Sequence, residues 1–232
     1  MGKRIIQQAR GHGSLTYQVR KRAYIYRIGY PLQTGAGKVI DFIDSSAHSA
    51  PLAKINLNGA VFYVPAHEGM TVGQEVTIGG GAIIPGNIVE LEKIPTGTSI
   101  YNIEVSPGDG GKMIRTAGSS AILVKKAGKS IFITMPSKKE VKLDGRCRAM
   151  IGIISGHGRL DKPIVKAGKK WHMMKARNKL WPRTSALKMN SIDHPFGSGR
   201  GKRIKSKIAK RNAPPGARVG LLRPKRTGRL KK

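Results

Sequence analysis

Acidic residues are scarce in this chain. Twelve Asp and Glu stand against 44 Lys and Arg over 232 residues, a formal net charge of +32, and so strong an imbalance calls for a polyanionic partner. Cysteine is nearly absent. The single Cys147 leaves no intramolecular disulfide and no CxxC zinc cluster, which agrees with a reducing cytosolic compartment and makes the thiol a small core filler. Apolar runs are short throughout, and none approaches the roughly 18 residues of a membrane span. Met1-Gly2-Lys3-Arg4 opens no apolar signal core, and Ile6 stands where a myristoylation motif needs Ser or Thr. Secretion and membrane attachment are therefore not expected.

Catalytic signatures are lacking too. Gly35-Ala36-Gly37-Lys38 has neither the upstream Gly nor the following Ser or Thr of a phosphate-binding loop, and Gly197-Ser198-Gly199-Arg200-Gly201-Lys202 runs into Arg203. The six histidines show no metal-ligand spacing. Adjacent Asp193 and His194 are poorly placed for a relay, and no GxSxG turn exists. The glycine-rich Ser106-Pro107-Gly108-Asp109-Gly110-Gly111-Lys112 reads as a surface loop whose amides, with Lys112 and Arg115, also suit phosphate tracking.

What is present is basic charge at both ends. Residues 162–232 hold 23 Lys and Arg and one acid, Asp193; residues 1–38 hold eight bases and no acid; the middle is near neutral at +2. A like-charged tail rich in Gly and Pro cannot bury enough apolar surface to fold alone, and each cation that meets a phosphate releases counterions. From Lys169 to Arg183 the bases interleave with Trp171, Met173, Met174 and Trp181, a mixture suited to stacking on splayed RNA bases or to anchoring the tail on a core.

The middle repeats short β-branched runs at intervals of about ten residues, the pattern of small β-barrels. Strands are expected near 39–43, 52–57, 60–64, 75–78 and 88–91, and again near 99–105, 121–125, 131–135, 140–143 and 149–154. Asn58-Gly59, Gly128-Lys129 and Asp144-Gly145 suit tight hairpins, and Pro85-Gly86-Asn87 a type II turn. Ile94-Pro95-Thr96-Gly97-Thr98 reads as the hinge between two five-strand sets. Periodicity supports an all-β class of two small five-strand modules with long basic irregular extensions; rolled into barrels, the first set fits an OB-fold and the second an SH3-like barrel, names that periodicity by itself does not choose. The division is 1–30 (basic arm), 31–92 (first barrel), 93–160 (second barrel) and 161–232 (tail).

Four segments resemble the universal large-subunit ribosomal protein two family in its archaeal or eukaryotic-type form. They are Ala50-Pro51-Leu52-Ala53-Lys54; Ile94 to Glu104 with Pro107 to Lys112; Cys147-Arg148-Ala149 with Gly152; and Lys188-Met189-Asn190-Ser191-Ile192-Asp193-His194-Pro195-Phe196-Gly197. The resemblance implies a structural, non-enzymatic constituent of the large subunit that binds its rRNA near the peptidyl transferase centre. It also implies support of subunit association, tRNA binding and peptide-bond formation, contacts with other large-subunit proteins, a bridge to the small subunit, and a cytoplasmic, ribosomal location. It places His194, with Asn190 and Asp193, nearest that centre. The sequence departs from the family at Asn190-Ser191-Ile192, at Thr184-Ser185 and at His48, where an arginine is common.

On charge, the expected rRNA contacts are Arg10, Arg20, Lys21, Arg22 and Arg27 in the arm, and Lys54, Arg115, Arg146 and Arg148 on the barrels. In the tail they are Lys169, Lys170, Lys175, Arg177, Lys179, Arg183, Lys188, Arg200, Lys202 and Arg203. No membrane, small-molecule substrate, cofactor or protein-bound metal is expected, with Mg²⁺ bridging tail and rRNA phosphate left open. A transient RNA chaperone or translation factor built on the same barrels is the alternative.

Overall fold

The computed structural model describes residues 2–198, 209 and 212–220. It divides into two compact units, Arg20–Arg177 and a second formed by Met1–Val19 with Asn178–Lys232.

The first unit carries ten strands: β1 (Gly35–Ile43), β2 (Leu52–Leu57), β3 (Ala60–Pro65), β4 (Glu75–Ile78), β5 (Ile88–Glu90), β6 (Ser99–Tyr101), β7 (Ala121–Ala127), β8 (Ser130–Thr134), β9 (Glu140–Asp144) and β10 (Arg148–Ile151). The all-β class and both five-strand sets are as expected. They join in one ladder of order β3-β2-β1-β4-β5-β10-β6-β7-β8-β9, and no pairing among the described strands closes either set into a ring.

The join follows from the two-residue period of a strand, which sends neighbouring side chains to opposite faces. On β10, Met150 pairs with Ile88 and Tyr101, and all three lie in the first core with Ile55, Leu57, Val64 and Val76. Its neighbours Ala149 and Ile151 pair with Val89 and Ile100 and lie in the second core with Leu123, Ile131, Ile133 and Cys147. β5, β6 and β10 are thus walls of both cores. Each large apolar side chain buried there stabilises by about 1.5–3 kcal/mol.

Turn chemistry accounts for most of the register. Asn58 and Gly59 take φ of 49° and 88° and set Leu57 against Ala60, the left-handed pair that a two-residue hairpin requires. Gly86 has φ 97°, and Asn87 N–H donates to the Ile84 carbonyl at 3.1 Å, a type II turn around Pro85. Asp144-Gly145 is different: neither residue is left-handed. The Asp144 carboxylate accepts the Arg146 N–H at 3.0 Å, and Gly145 N–H donates to the Lys129 carbonyl at 2.9 Å.

Three expectations are corrected. The strand expected over 99–105 stops at Tyr101, because Asn102 turns left-handed with φ 47° and Ile103 bridges to Met113 instead. The one expected over 149–154 stops at Ile151, before Gly152 with φ 118°. The extensions are not wholly irregular: α1 (Ile6–Gly11) lies in the arm, and α2 (Ala167–Ala176) contributes ten helical residues with no buried side chain. Ala, Lys and Met favour the helix, a preference masked in sequence by the density of charge.

The second unit gathers the start of the arm, up to Val19, and the tail from Asn178. Lys3 N–H donates to the Ile192 carbonyl at 2.8 Å, and the Arg10 guanidinium donates to the Asn178 carbonyl at 3.2 Å. The tail loop closes on itself: Asp193 and His194 N–H both donate to the Asn190 carbonyl at 3.0 and 3.1 Å, Gly197 N–H donates to the His194 carbonyl at 2.8 Å, and Ser198 N–H donates to the Met189 carbonyl at 3.0 Å. A Cβ on Gly197 would lie 2.2 Å from the Asn190 oxygen, so only glycine fits.

Candidate nucleic-acid interface

The basic side chains divide by what already holds them. Arg148, expected to meet phosphate, is turned inward. Its Nε and Nη2 donate to Glu104 Oε1 at 3.2 and 2.8 Å, its Nη1 donates to the Pro31 carbonyl at 2.8 Å, and its guanidinium lies 5.5 Å from the centre of the Tyr30 ring. Both partners are buried, so this guanidinium clamps the first unit internally and is removed from the RNA-facing set.

The same carboxylate settles the glycine-rich loop. Glu104 also accepts Gly108 and Gly110 N–H at 3.2 and 3.1 Å, while Asp109 accepts Val105, Ser106 and Gly111 N–H. Burial acts to raise Asp109, but those amides and Lys112 outweigh it and hold the carboxyl below its usual value. The amides suited to tracking phosphate are occupied by the protein's own acids.

Arg115 is half-buried, donating to Asn102 Oδ1 at 3.1 Å and to the Ile28 carbonyl at 3.3 Å. Arg146 is exposed and forms a two-point pair with Asp144 at 3.0 and 3.3 Å, a surface contact that a phosphate can displace. Lys54 is half-buried on β2, opposite Tyr63. Arg20, Lys21, Arg22 and Arg27 are all exposed.

On α2, Lys169 and Lys175 are exposed and Lys170 half-buried, with Arg177 half-buried just after it. Trp171 is exposed beneath the Lys175 ammonium, 4.3 Å from the ring centroid. One turn of helix sets these two residues side by side, and the indole belongs to neither buried core.

In the second unit Lys179, Arg183 and Lys188 are exposed and Arg10 half-buried, and none has an ion pair with a described acid. They share one groove with Asn190, Asp193 and His194. Lys3, Arg4 and Arg218 line it as well. Sequence reading missed these three because they fall at the far ends of the chain, and only the fold brings them together. Arg200, Lys202 and Arg203 lie outside the described residues.

His194 has a defined role in its loop. Its Nδ1 accepts the Phe196 N–H at 3.0 Å, and the two rings lie 5.2 Å apart at 59°. An accepting Nδ1 puts the proton of the neutral ring on Nε2. Asp193 lies 3.8 Å from the Lys3 ammonium, so its carboxylate pairs with the arm and the two adjacent side chains form no relay. Among the described residues no group of three His, Cys, Asp or Glu is placed to hold a metal ion, and no helix is long and apolar enough to cross a membrane.

Residues 84–216 match the family described as Ribosomal Proteins L2, C-terminal domain. The large ribosomal subunit protein uL2 of Archaeoglobus fulgidus is 44% identical over 98% of this chain and 99% of its own length. The chain belongs to the ribosomal protein L2 family. Two further family members of the same description, from Hyperthermus butylicus and Desulfurococcus amylolyticus, are 42% and 40% identical, each over the full length of both chains. The family match spans β5 to the tail loop, and with it the shared strands, the Glu104–Arg148 clamp, α2 and the His194 loop.

Proposed function

We propose that this chain is a structural constituent of the large ribosomal subunit, held on its rRNA by the arm and tail cations while the β unit fixes register. The observation that carries this reading is the contrast in partners: Arg148 is satisfied by a buried acid, whereas Lys179, Arg183 and Lys188 are exposed and form no ion pair with a described acid. Such cations gain by neutralising phosphate. Full-length identity to proteins named as large-subunit constituents supports the same assignment.

The four-part division at residues 30, 92 and 160 describes arm, two barrel-like sets and tail. His194, Asn190 and Asp193 stand nearest the peptidyl transferase centre as positioning residues, the chemistry belonging to the rRNA. The protein supports tRNA binding and subunit association, meets other large-subunit proteins and bridges to the small subunit, in cytoplasmic ribosomes.

Sucrose-gradient sedimentation of a tagged chain from cell extract tests this. The full chain should travel with the large subunit through a high-salt wash, and a chain lacking residues 162–232 should lose incorporation. A full chain left at the top of the gradient would instead mark a transient RNA-binding factor.

A further inference from the structure

The groove in the second unit has a volume of about 1190 Å³, larger than the roughly 300–1,000 Å³ of ordinary small-molecule sites. One side is built from the arm, with Arg4 and Arg10; the other from the tail loop, with Lys179, Arg183 and Lys188; Arg218 adds to the rim. Among its described lining residues the sole acid is Asp193, already paired with Lys3.

The surface between the cations is apolar. Ile5, Leu180, Met189 and Phe196 line it and are half-buried, and His194 lines it beside them with Nδ1 committed to its own loop. A cationic rim around an apolar and aromatic floor matches an unpaired RNA segment, whose phosphates meet the rim while a splayed base lies on the floor. A free phosphate would leave the floor uncovered, and a regular duplex presents no free base face to it.

We propose that this groove is a single composite site for an unpaired RNA segment, gripped on one side by the N-terminal arm and on the other by the tail loop. The arm and tail then act together on one stretch of RNA, although almost the whole chain separates them in sequence. The His194 Nε2–H is a donor for an acceptor on that segment. This rests on the reading of the chain as an rRNA-binding protein and deepens it.

The test uses the full chain with a photo-crosslinking side chain at Ile6 or, separately, at Leu180, bound to large-subunit rRNA. Both positions should crosslink to the same unpaired loop. Crosslinks to two distant RNA segments, or to paired helices, overturn the composite site while leaving rRNA binding intact. Failure of either chain to bind rRNA overturns the functional reading and this inference together.

A second measurement keeps the proposal open to refutation if the inserted side chains disturb the groove. Arg4→Gln and Arg183→Gln should each lower the salt slope for an unpaired oligouridylate by about 0.7, with little change for a duplex of equal length. Equal losses on both RNAs would reduce the groove to a general basic patch. Arg10 is left unchanged in these variants because it donates to the Asn178 carbonyl at the start of the tail, whereas the internal contact of Arg4, to His12 Nε2 at 2.7 Å, is exposed and stays within the arm.

Discussion

Arg148 and Arg183 carry the same guanidinium and meet opposite surroundings. In the β unit, Arg148 is enclosed by Glu104, the Pro31 carbonyl and the Tyr30 ring; in the arm-and-tail unit, Arg183 is exposed on the rim of a groove whose one described acid is paired with Lys3. Arg148 is answered by an acid of its own unit, whereas Arg183 pairs with no described acid. Charge by itself does not mark a binding residue; charge without an internal acid does.

The sharpest way to break this contrast is to exchange the two losses. Glu104→Gln leaves Arg148 buried without a counter-charge, which should cost about 3–5 kcal/mol and lower the midpoint of thermal unfolding by roughly 10 °C. Arg183→Gln should leave that midpoint within experimental scatter, since exposed substitutions usually stay within about 0.5 kcal/mol, while weakening RNA binding. Equal midpoints for the two variants would erase the distinction.

Next in size is Gly197→Ala. The added methyl meets the Asn190 carbonyl oxygen at 2.2 Å, so the tail loop must re-form and carry His194 with it. RNA affinity should fall and the His194 ring resonances should shift, with the β-unit signals unmoved. Unchanged His194 resonances would contradict the packing described for the loop.

A smaller effect concerns acid. Burial, then Arg115 and Arg177, lower the His48 pKa below its ordinary 6.5. The folded state therefore takes up the proton less readily than the unfolded chain, and stability falls as pH drops below about 6.5 toward the folded value. His48→Gln should flatten that acid limb in unfolding curves recorded between pH 7 and 5; an unaltered slope would remove His48 from the explanation. The mildest test is chemical. Burial first, then the Glu104 and Asp144 charges, push the Cys147 thiol up to about 11, so a disulfide reagent at pH 8 should react only after unfolding. Prompt reaction of the folded protein would contradict the buried position.

Much of the β unit was legible because its signals are local. Asn58-Gly59 and Pro85-Gly86 dictate their turns through φ alone, and the β-branched runs mark the strands between them. The ends of β6 and β10 were less legible, because Asn102 and Gly152 divert the chain in ways that apolar patterning does not show. Arg148 was misread for a different reason. Its partner Glu104 lies 44 residues away in sequence, and no spacing rule connects them. α2 was hidden by its own charge, with no apolar stripe to give a helical period. The groove joins Arg4 to Arg183, a proximity that only the folded chain reveals, whereas the tail motif around His194 was plain in sequence.

The central claim is that the arm and tail cations exist to be neutralised by RNA phosphate. The salt dependence of full-chain binding to large-subunit rRNA tests it most directly, because each phosphate contact contributes about −0.7 to −0.9 to the slope of log affinity against log salt. The account predicts a slope of about −7 or steeper, the equivalent of roughly ten contacts. A slope shallower than about −2, fewer than three contacts' worth, would contradict it.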